Sequence, residues 1–161
     1  MFTTRNDLPQ STRAQVVELL NARLADAIDL GTQVKHAHWN VKGANFIALH
    51  ELFDKIAEGV EDQIDTIAER VTALGGTARG TLGAVSRNTS LKPYPEDISA
   101  GLAHVEALAS VVADFGRKVR VGIEESAKLG DADTSDLFTG ISRETDKSLW
   151  FLEAHLYSSK E

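Results

Sequence analysis

TARGTLGAVSRNTSLKPYP, residues 77–95, is the stretch that decides the fold of this 161-residue chain. It carries glycine and serine punctuation, closes on Pro93 and Pro95, and divides two pairs of long segments with helical periodicity. With Gly75 and Gly76 ahead of it the connection runs to about 20 residues, well beyond the roughly 2–8 that join antiparallel neighbours in a bundle. That length allows a crossover between parallel helices, and the apolar piece Leu82 to Val85 suits a helical turn of its own.

Working outward, the segment before the connection runs from Ala44 or Asn45 to Leu74 through Leu49, Leu52, Phe53, Ile56, Val60, Ile64, Ile67 and Val71. VKGAN, residues 41–45, separates it from a first helix that starts after Pro9, with Ser11 or Thr12 as N-cap, and reaches about Trp39. Beyond the connection, Pro95-Glu96-Asp97 suit a first helical turn, and apolar spacing continues from Ile98 through Phe115 to Leu129, where Gly130 intervenes. A last helix is expected from about Thr134 to Leu156. Strand patterns are absent, so the expectation is an all-α, ferritin-like four-helix bundle whose long crossover between the second and third helices holds a short extra helix. One domain is expected over 1–161, with short tails at 1–10 and 158–161.

Composition narrows the function. The 24 acidic and 17 basic residues leave a formal charge of -7, which disfavours nucleic acid and anionic membranes and attracts cations. The absence of cysteine excludes disulfides, thiolate zinc sites and thiol catalysis. MFTTRNDLPQ has no apolar core of a secretion signal and no run reaches the length of a membrane span, so a soluble cytoplasmic protein is expected.

The chemistry-bearing residues gather on either side of VKGAN and further along the second helix, in HWNVKGANFIALHELFD (38–54) and DQIDTIAER (62–70). At 100° per residue His50, Asp54, Asp65 and Glu69 line one stripe, with Glu58 and Glu61 among them. Asp54 and Asp65 nevertheless stand about 16 Å apart along the axis, beyond the reach of one metal ion. One chain therefore supplies two half-sites, which an antiparallel pairing of this helix with its copy would bring together. Imidazoles with carboxylates suit Fe(II), Mn(II) or Zn(II). From spacing alone a solvated face fits the stripe as well as a metal interface does. No Glu-x-x-His occurs in the chain, which argues against a di-iron centre inside one subunit. His36, His104 and His155, taken singly, read as surface or satisfied core histidines.

KHAHWNVKGANFIALHELFD, then DQIDTIAERVTALGG, and near the end DADTSDLFTGISRETDKSLWFLEAHL resemble the Dps family, the ferritin-like DNA-binding proteins from starved cells, and the likeness extends over the whole chain. The resemblance implies a homododecameric shell with a di-iron ferroxidase centre at each two-fold half interface. On the family pattern His38, His50 and Asp54 come from one subunit and Asp65 and Glu69 from its mate. Iron(II) is oxidised there, with hydrogen peroxide preferred over oxygen, and stored inside as an iron(III) mineral, which protects the cell and its DNA from oxidative stress. Lys35 matches a lysine beside the family's centre, although a snorkelling surface lysine fits too. Trp39 resembles the family's neighbouring aromatic, with plain interface packing as the alternative. Iron would pass through pores lined by acids near the start of the last helix, where Asp136 matches best and Asp131 is a second candidate.

Two departures matter. Glu58 and Glu61 fall where family members commonly carry uncharged residues, and read as extra iron stations or as solvated acids. The tail MFTTRNDLPQSTR has only Arg5 and Arg13 with Asp7 between them, and SSKE has one lysine beside an acid. DNA binding through such tails is expected to be weak or absent, because few phosphates can be neutralised. A nucleoid-associated DNA-binding protein with secondary iron handling remains the alternative.

Overall fold

The computed structural model describes residues 1–157, so the expected tail at 158–161 lies outside the described residues. It contains α1 (Gln10–Asn40), α2 (Phe46–Ala73), a short α3 (Leu82–Asn88), α4 (Gly101–Lys128) and α5 (Ala132–Glu153). Among the described residues there is no strand, only an isolated parallel bridge between Lys42 and Ala100.

That bridge fixes the topology. Lys42 N–H donates to Ser99 O at 3.0 Å, so the chain reaches α4 at the end of the bundle where α2 begins. A Cβ on Gly101 would stand 2.7 Å from a Leu49 methyl, which shows how closely the first turns of α4 and α2 approach. α2 and α4 thus run in the same direction, and the intervening segment travels the length of the bundle. The expected crossover and its extra helix are both present. Two antiparallel hairpins, α1–α2 and α4–α5, pack α1 on α4 and α2 on α5. Between them lies a core that includes Leu20, Leu24, Phe53, Ile67, Leu108, Phe115 and Phe138, all essentially inaccessible. Each such side chain contributes about 1.5–3 kcal/mol through removal of apolar surface from water.

A polar ladder on α1 holds the crossover down. Asn21 donates to Thr77 O and accepts from Arg79 N–H; buried Asp26 accepts from the Ser90 amide and hydroxyl; Thr89 donates its hydroxyl to Asp29; Gln33 donates to Lys92 O. Arg23 pairs with the Asp26 carboxylate at 2.9 Å, so this fully buried charge is both hydrogen-bonded and compensated.

Several boundaries differ from expectation. α4 begins at Gly101, not near Pro95, because residues 92–100 form a strap held by Lys42 and by the two prolines, whose predecessors disfavour helical geometry. α1 starts without a side-chain cap: Pro9 occupies the capping position, and Ser11 and Thr12 lie in the first turn. α5 begins before Thr134, capped by Asp131, which accepts from the Thr134 amide at 3.0 Å. α2 and α4 both close on a glycine with φ of 83°, Gly75 and Gly130. In each, paired amide-to-carbonyl bonds such as Gly75 N–H to Thr72 O and Gly76 N–H to Val71 O satisfy the last turn.

The beginning of the chain is held rather than trailing. Phe2 N–H donates to Gly75 O at 2.6 Å, and the Arg13 guanidinium reaches Leu8 O and Leu74 O, both at 3.1 Å. Residues 2–8 are thereby fixed across the C-terminal end of α2, and Arg13, one of the two arginines of the N-terminal segment, is occupied by backbone carbonyls.

Candidate metal centre

The tight turn between α1 and α2 brings His38 and His50 face to face, with ring centroids 3.7 Å apart. Each ring is oriented by the other residue's backbone. His38 Nδ1–H donates to His50 O at 2.8 Å and His50 Nδ1–H donates to His38 O at 2.9 Å. The His38 carbonyl is free to accept because it belongs to the last turn of α1, which has no helical donors left. This reciprocal pair holds a proton on each Nδ1 and leaves each Nε2 as the nitrogen suited to a borderline metal.

Asp54, one turn beyond His50 on α2, places its carboxylate beside them, with Oδ1 3.9 Å from His38 Nε2. Lys35 donates to the same oxygen at 2.6 Å. That hydrogen bond, assisted by the charge of Lys35, holds the Asp54 carboxyl below the usual carboxylate range despite some desolvation. The ammonium also lies 5.9 Å from the Trp39 ring centroid, while the indole is 69% exposed. Lys35, Trp39, Asp54, Glu58 and Glu61 all border one open cleft of about 640 Å³.

Asp65 and Glu69 lie further along the same helix, exposed and, among the described residues, in no ion pair. The structure brings His38, His50, Asp54 and Lys35 together, then, but not Asp65 and Glu69. Nowhere among the described residues of one chain do three histidine or acidic side chains gather closely enough to hold an ion. The donor set fits iron as a substrate, with two imidazole nitrogens and a carboxylate in one half and two carboxylates in the other.

Asp136 is exposed and borders a shallow hollow with Ala127, Gly130, Ala132, Ser135 and Thr139. Asp131 does not line such a space. Its side chain is 1% exposed, caps α5, accepts the Thr134 hydroxyl at 2.6 Å and pairs with Arg70 at 2.8 Å. The sequence pattern shows an acid ahead of a helix and hides the arginine, which arrives from 61 residues away.

Two arrangements escaped the sequence reading. One is the reciprocal histidine lock, which depends on the closeness of the turn. The other is the contact of the Tyr94 hydroxyl with His104 Nδ1 at 2.7 Å, which would need the strap's path to be known.

A chain with this crossover and this split set of histidines and carboxylates has the architecture of a ferritin-like protein. The ferritin-like domain family matches residues 17–160. The DNA protection during starvation protein of Agrobacterium fabrum is 49% identical over 153 residues, spanning 95% of this chain and 94% of that protein. Its counterpart in Mycolicibacterium smegmatis is 36% identical over 154 residues, spanning 94% and 82%. Among solved structures, Mycobacterium smegmatis Dps superposes with a TM-score of 0.93 at 34% identity, over 99% of this chain and 96% of that one. A Dps protein of Vibrio cholerae O1, described as belonging to a broad superfamily of ferritin-like diiron-carboxylate proteins, superposes with a TM-score of 0.90 at 25% identity, over 98% of each chain. The chain belongs to the Dps family of ferritin-like proteins.

Proposed function

We propose that this protein is a ferroxidase that stores iron. Two copies pair antiparallel through α2, so that His38, His50 and Asp54 of one face Asp65 and Glu69 of the other, and twelve copies close a hollow cytoplasmic shell. The observation that carries this reading is the reciprocal histidine lock, which fixes both rings through Nδ1 with His38 Nε2 3.9 Å from the Asp54 carboxylate, while the remaining acids stand about 16 Å away along the helix. Imidazoles and Asp54 bind the first iron(II); Lys35 must release Asp54 as the ion arrives; the carboxylates stabilise iron(III). Hydrogen peroxide is the preferred oxidant, since it accepts two electrons. Paired iron(II) ions and two protons convert it to water without releasing hydroxyl radical. Glu58 and Glu61 border the same cleft and hold further cations on their way inward, and Asp136 lines the passage by which iron reaches the interior.

Mixing tests the shared centre. One chain carries His38→Ala and His50→Ala, the other Asp65→Ala and Glu69→Ala, and the two are refolded together. Random pairing restores about a quarter of the centres, because each mixed pair holds one intact and one doubly broken site. No recovery of iron(II) oxidation would place all the ligands within one chain.

The relatives' names speak of DNA protection, and removing iron(II) together with peroxide protects DNA without contact. Direct binding is disfavoured by the charge of -7 per chain and by the anchoring of residues 2–8. In chelated buffer at about 0.15 M salt we expect no shift of plasmid on a gel. A shift lost on removing residues 1–9 would establish the alternative, nucleoid-associated reading.

A further inference from the structure

We propose that the pocket between the strap and α4 binds a nucleoside monophosphate whose base carries an exocyclic amine. The pocket has a volume of about 310 Å³, at the small end of ligand sites, and lies between Pro93, Tyr94 and Pro95 of the strap and Ala107 and Val111 of α4. The two prolines lack N–H groups and stiffen the backbone there, and the Tyr94 ring is held through its hydroxyl, 2.7 Å from His104 Nδ1. These walls are therefore apolar and already ordered, so receiving a flat ring costs the protein little conformational freedom. From α1 comes Gln33, which is 5% exposed and borders the same space. Its Nε2 donates to Asp29 Oδ1 at 3.1 Å and to Lys92 O at 3.0 Å, which commits both amide hydrogens and fixes the orientation of the group. What Gln33 can offer a ligand is Oε1, to which no donor is bonded among the described residues. The complement of that oxygen is an N–H on the ligand.

Charge supplies the other end of the ligand. Lys92 of the strap and Arg117 of α4 both border the pocket and are exposed. Lys92 is in no ion pair among the described residues. Arg117 pairs with Asp114, and Lys118 stands 3.8 Å from the same carboxylate, so two cations share one acid. Asp29, beneath Gln33, accepts from Thr89 and from Gln33 itself. Lys92, Arg117 and Lys118 against Asp114 and Asp29 leave this corner positive on a chain whose formal charge is -7. An arginine fork beside a lysine is a phosphate receptor. An apolar slot, a buried acceptor and a cationic margin together select a planar base that carries an amine and, at its far end, a phosphate. Inorganic phosphate meets only the last of these demands, and a nucleoside only the first two. The lining comes from α1, the strap and α4 and none of it from α2, so the site is separate from the ligands of the candidate metal centre.

Calorimetric titration of the full-length, metal-free protein with adenosine monophosphate, at low salt and with a chelator present, tests the site without recourse to iron oxidation. Saturable binding of one nucleotide per chain is expected. Arg117→Gln and Lys92→Gln should each weaken it about tenfold, the lower end of what a charge-assisted hydrogen bond contributes. Adenosine, which lacks the phosphate, and purine riboside monophosphate, which lacks the amine, should each bind at least tenfold more weakly than adenosine monophosphate, and these two ligands probe the margin and Gln33 without altering the protein. Ala107→Phe, which fills the pocket, should abolish binding while the far-ultraviolet circular dichroism stays that of the parent. Absence of saturable binding overturns the proposal, as does affinity unchanged in both Lys92→Gln and Arg117→Gln. Inorganic phosphate binding as tightly as the nucleotide would reduce the site to a surface anion contact and overturn it too. A short single-stranded oligoadenylate that binds more tightly than adenosine monophosphate would overturn the assignment to a free nucleotide.

Discussion

The two ends of α2 carry the two halves of the candidate centre, and they are built differently. At its N-terminal end His50 stacks on His38, each ring is fixed by a backbone carbonyl, and Asp54 is held by Lys35. Toward its C-terminal end Asp65 and Glu69 project from an exposed face, and the nearest anchored neighbour, Arg70, is committed to Asp131 and Thr134. The first half is organised before metal arrives. The second gives up side-chain freedom, of order 1–2 kcal/mol for a long acid, when metal and partner come together. In the proposed centre this construction would set the order of binding, with the imidazole half holding the first iron and the exposed acids joining at the second.

The sharpest way to break this comparison is anaerobic metal titration of the two half-site variants. His38→Ala with His50→Ala should weaken the first metal by on the order of 100-fold, since loss of the ligands themselves must match or exceed the upper end of outer-partner effects. Asp65→Ala with Glu69→Ala should leave that first event nearly intact and abolish the second. Equal loss in both would show that neither half is organised ahead of the other. A smaller effect is expected at Asp136: Asp136→Asn should slow iron uptake several-fold at low iron(II), and raising ionic strength should erase the difference. Unaltered uptake at low salt removes Asp136 from the passage. The smallest concerns Lys35. In the parent the folded-state pKa of Asp54 lies below its ordinary value, so the ion pair favours the fold above the unfolded carboxyl's pKa and is lost as pH falls through the lower, folded one. Lys35→Met should therefore move the titration of Asp54 upward toward the ordinary carboxylate range, as read from its carboxyl carbon resonance. An unmoved midpoint would mean that another group holds the charge.

Periodicity made much of this legible. The stripe on α2 follows from 100° per residue, and the crossover follows from the length of 75–95, because both depend on local geometry. Failures came where a local signal competed with a distant partner. Pro95-Glu96-Asp97 has the composition of a first helical turn, yet the bridge from Lys42 keeps the strap out of the helix as far as Ala100. Ser11 and Thr12 have the chemistry of caps, but the helix begins earlier at a proline. Asp131 looked available until Arg70 was placed beside it. Lys35 was legible as a neighbour of the centre, whereas its choice of Asp54 as partner was left open by sequence. In each case the deciding contact joins residues that no helical period connects.

The ladder on α1 has a consequence for which of two folds the chain adopts. A simple up-down bundle would bury nearly the same apolar faces on the same four helices, so hydrophobic burial distinguishes poorly between α4 entering from one end or the other. Asn21, Asp26, Asp29 and Gln33 bear on that ambiguity, because their bonds to the crossover form only if residues 77–92 run along α1 from its beginning toward its end. Running the other way strands a buried aspartate beside an arginine with its remaining lone pairs unmet, a penalty on the order of 1–3 kcal/mol for each unmade bond. Four polar side chains with modest net stability thus choose the direction of a whole hairpin, and with it which face of α2 is left exposed.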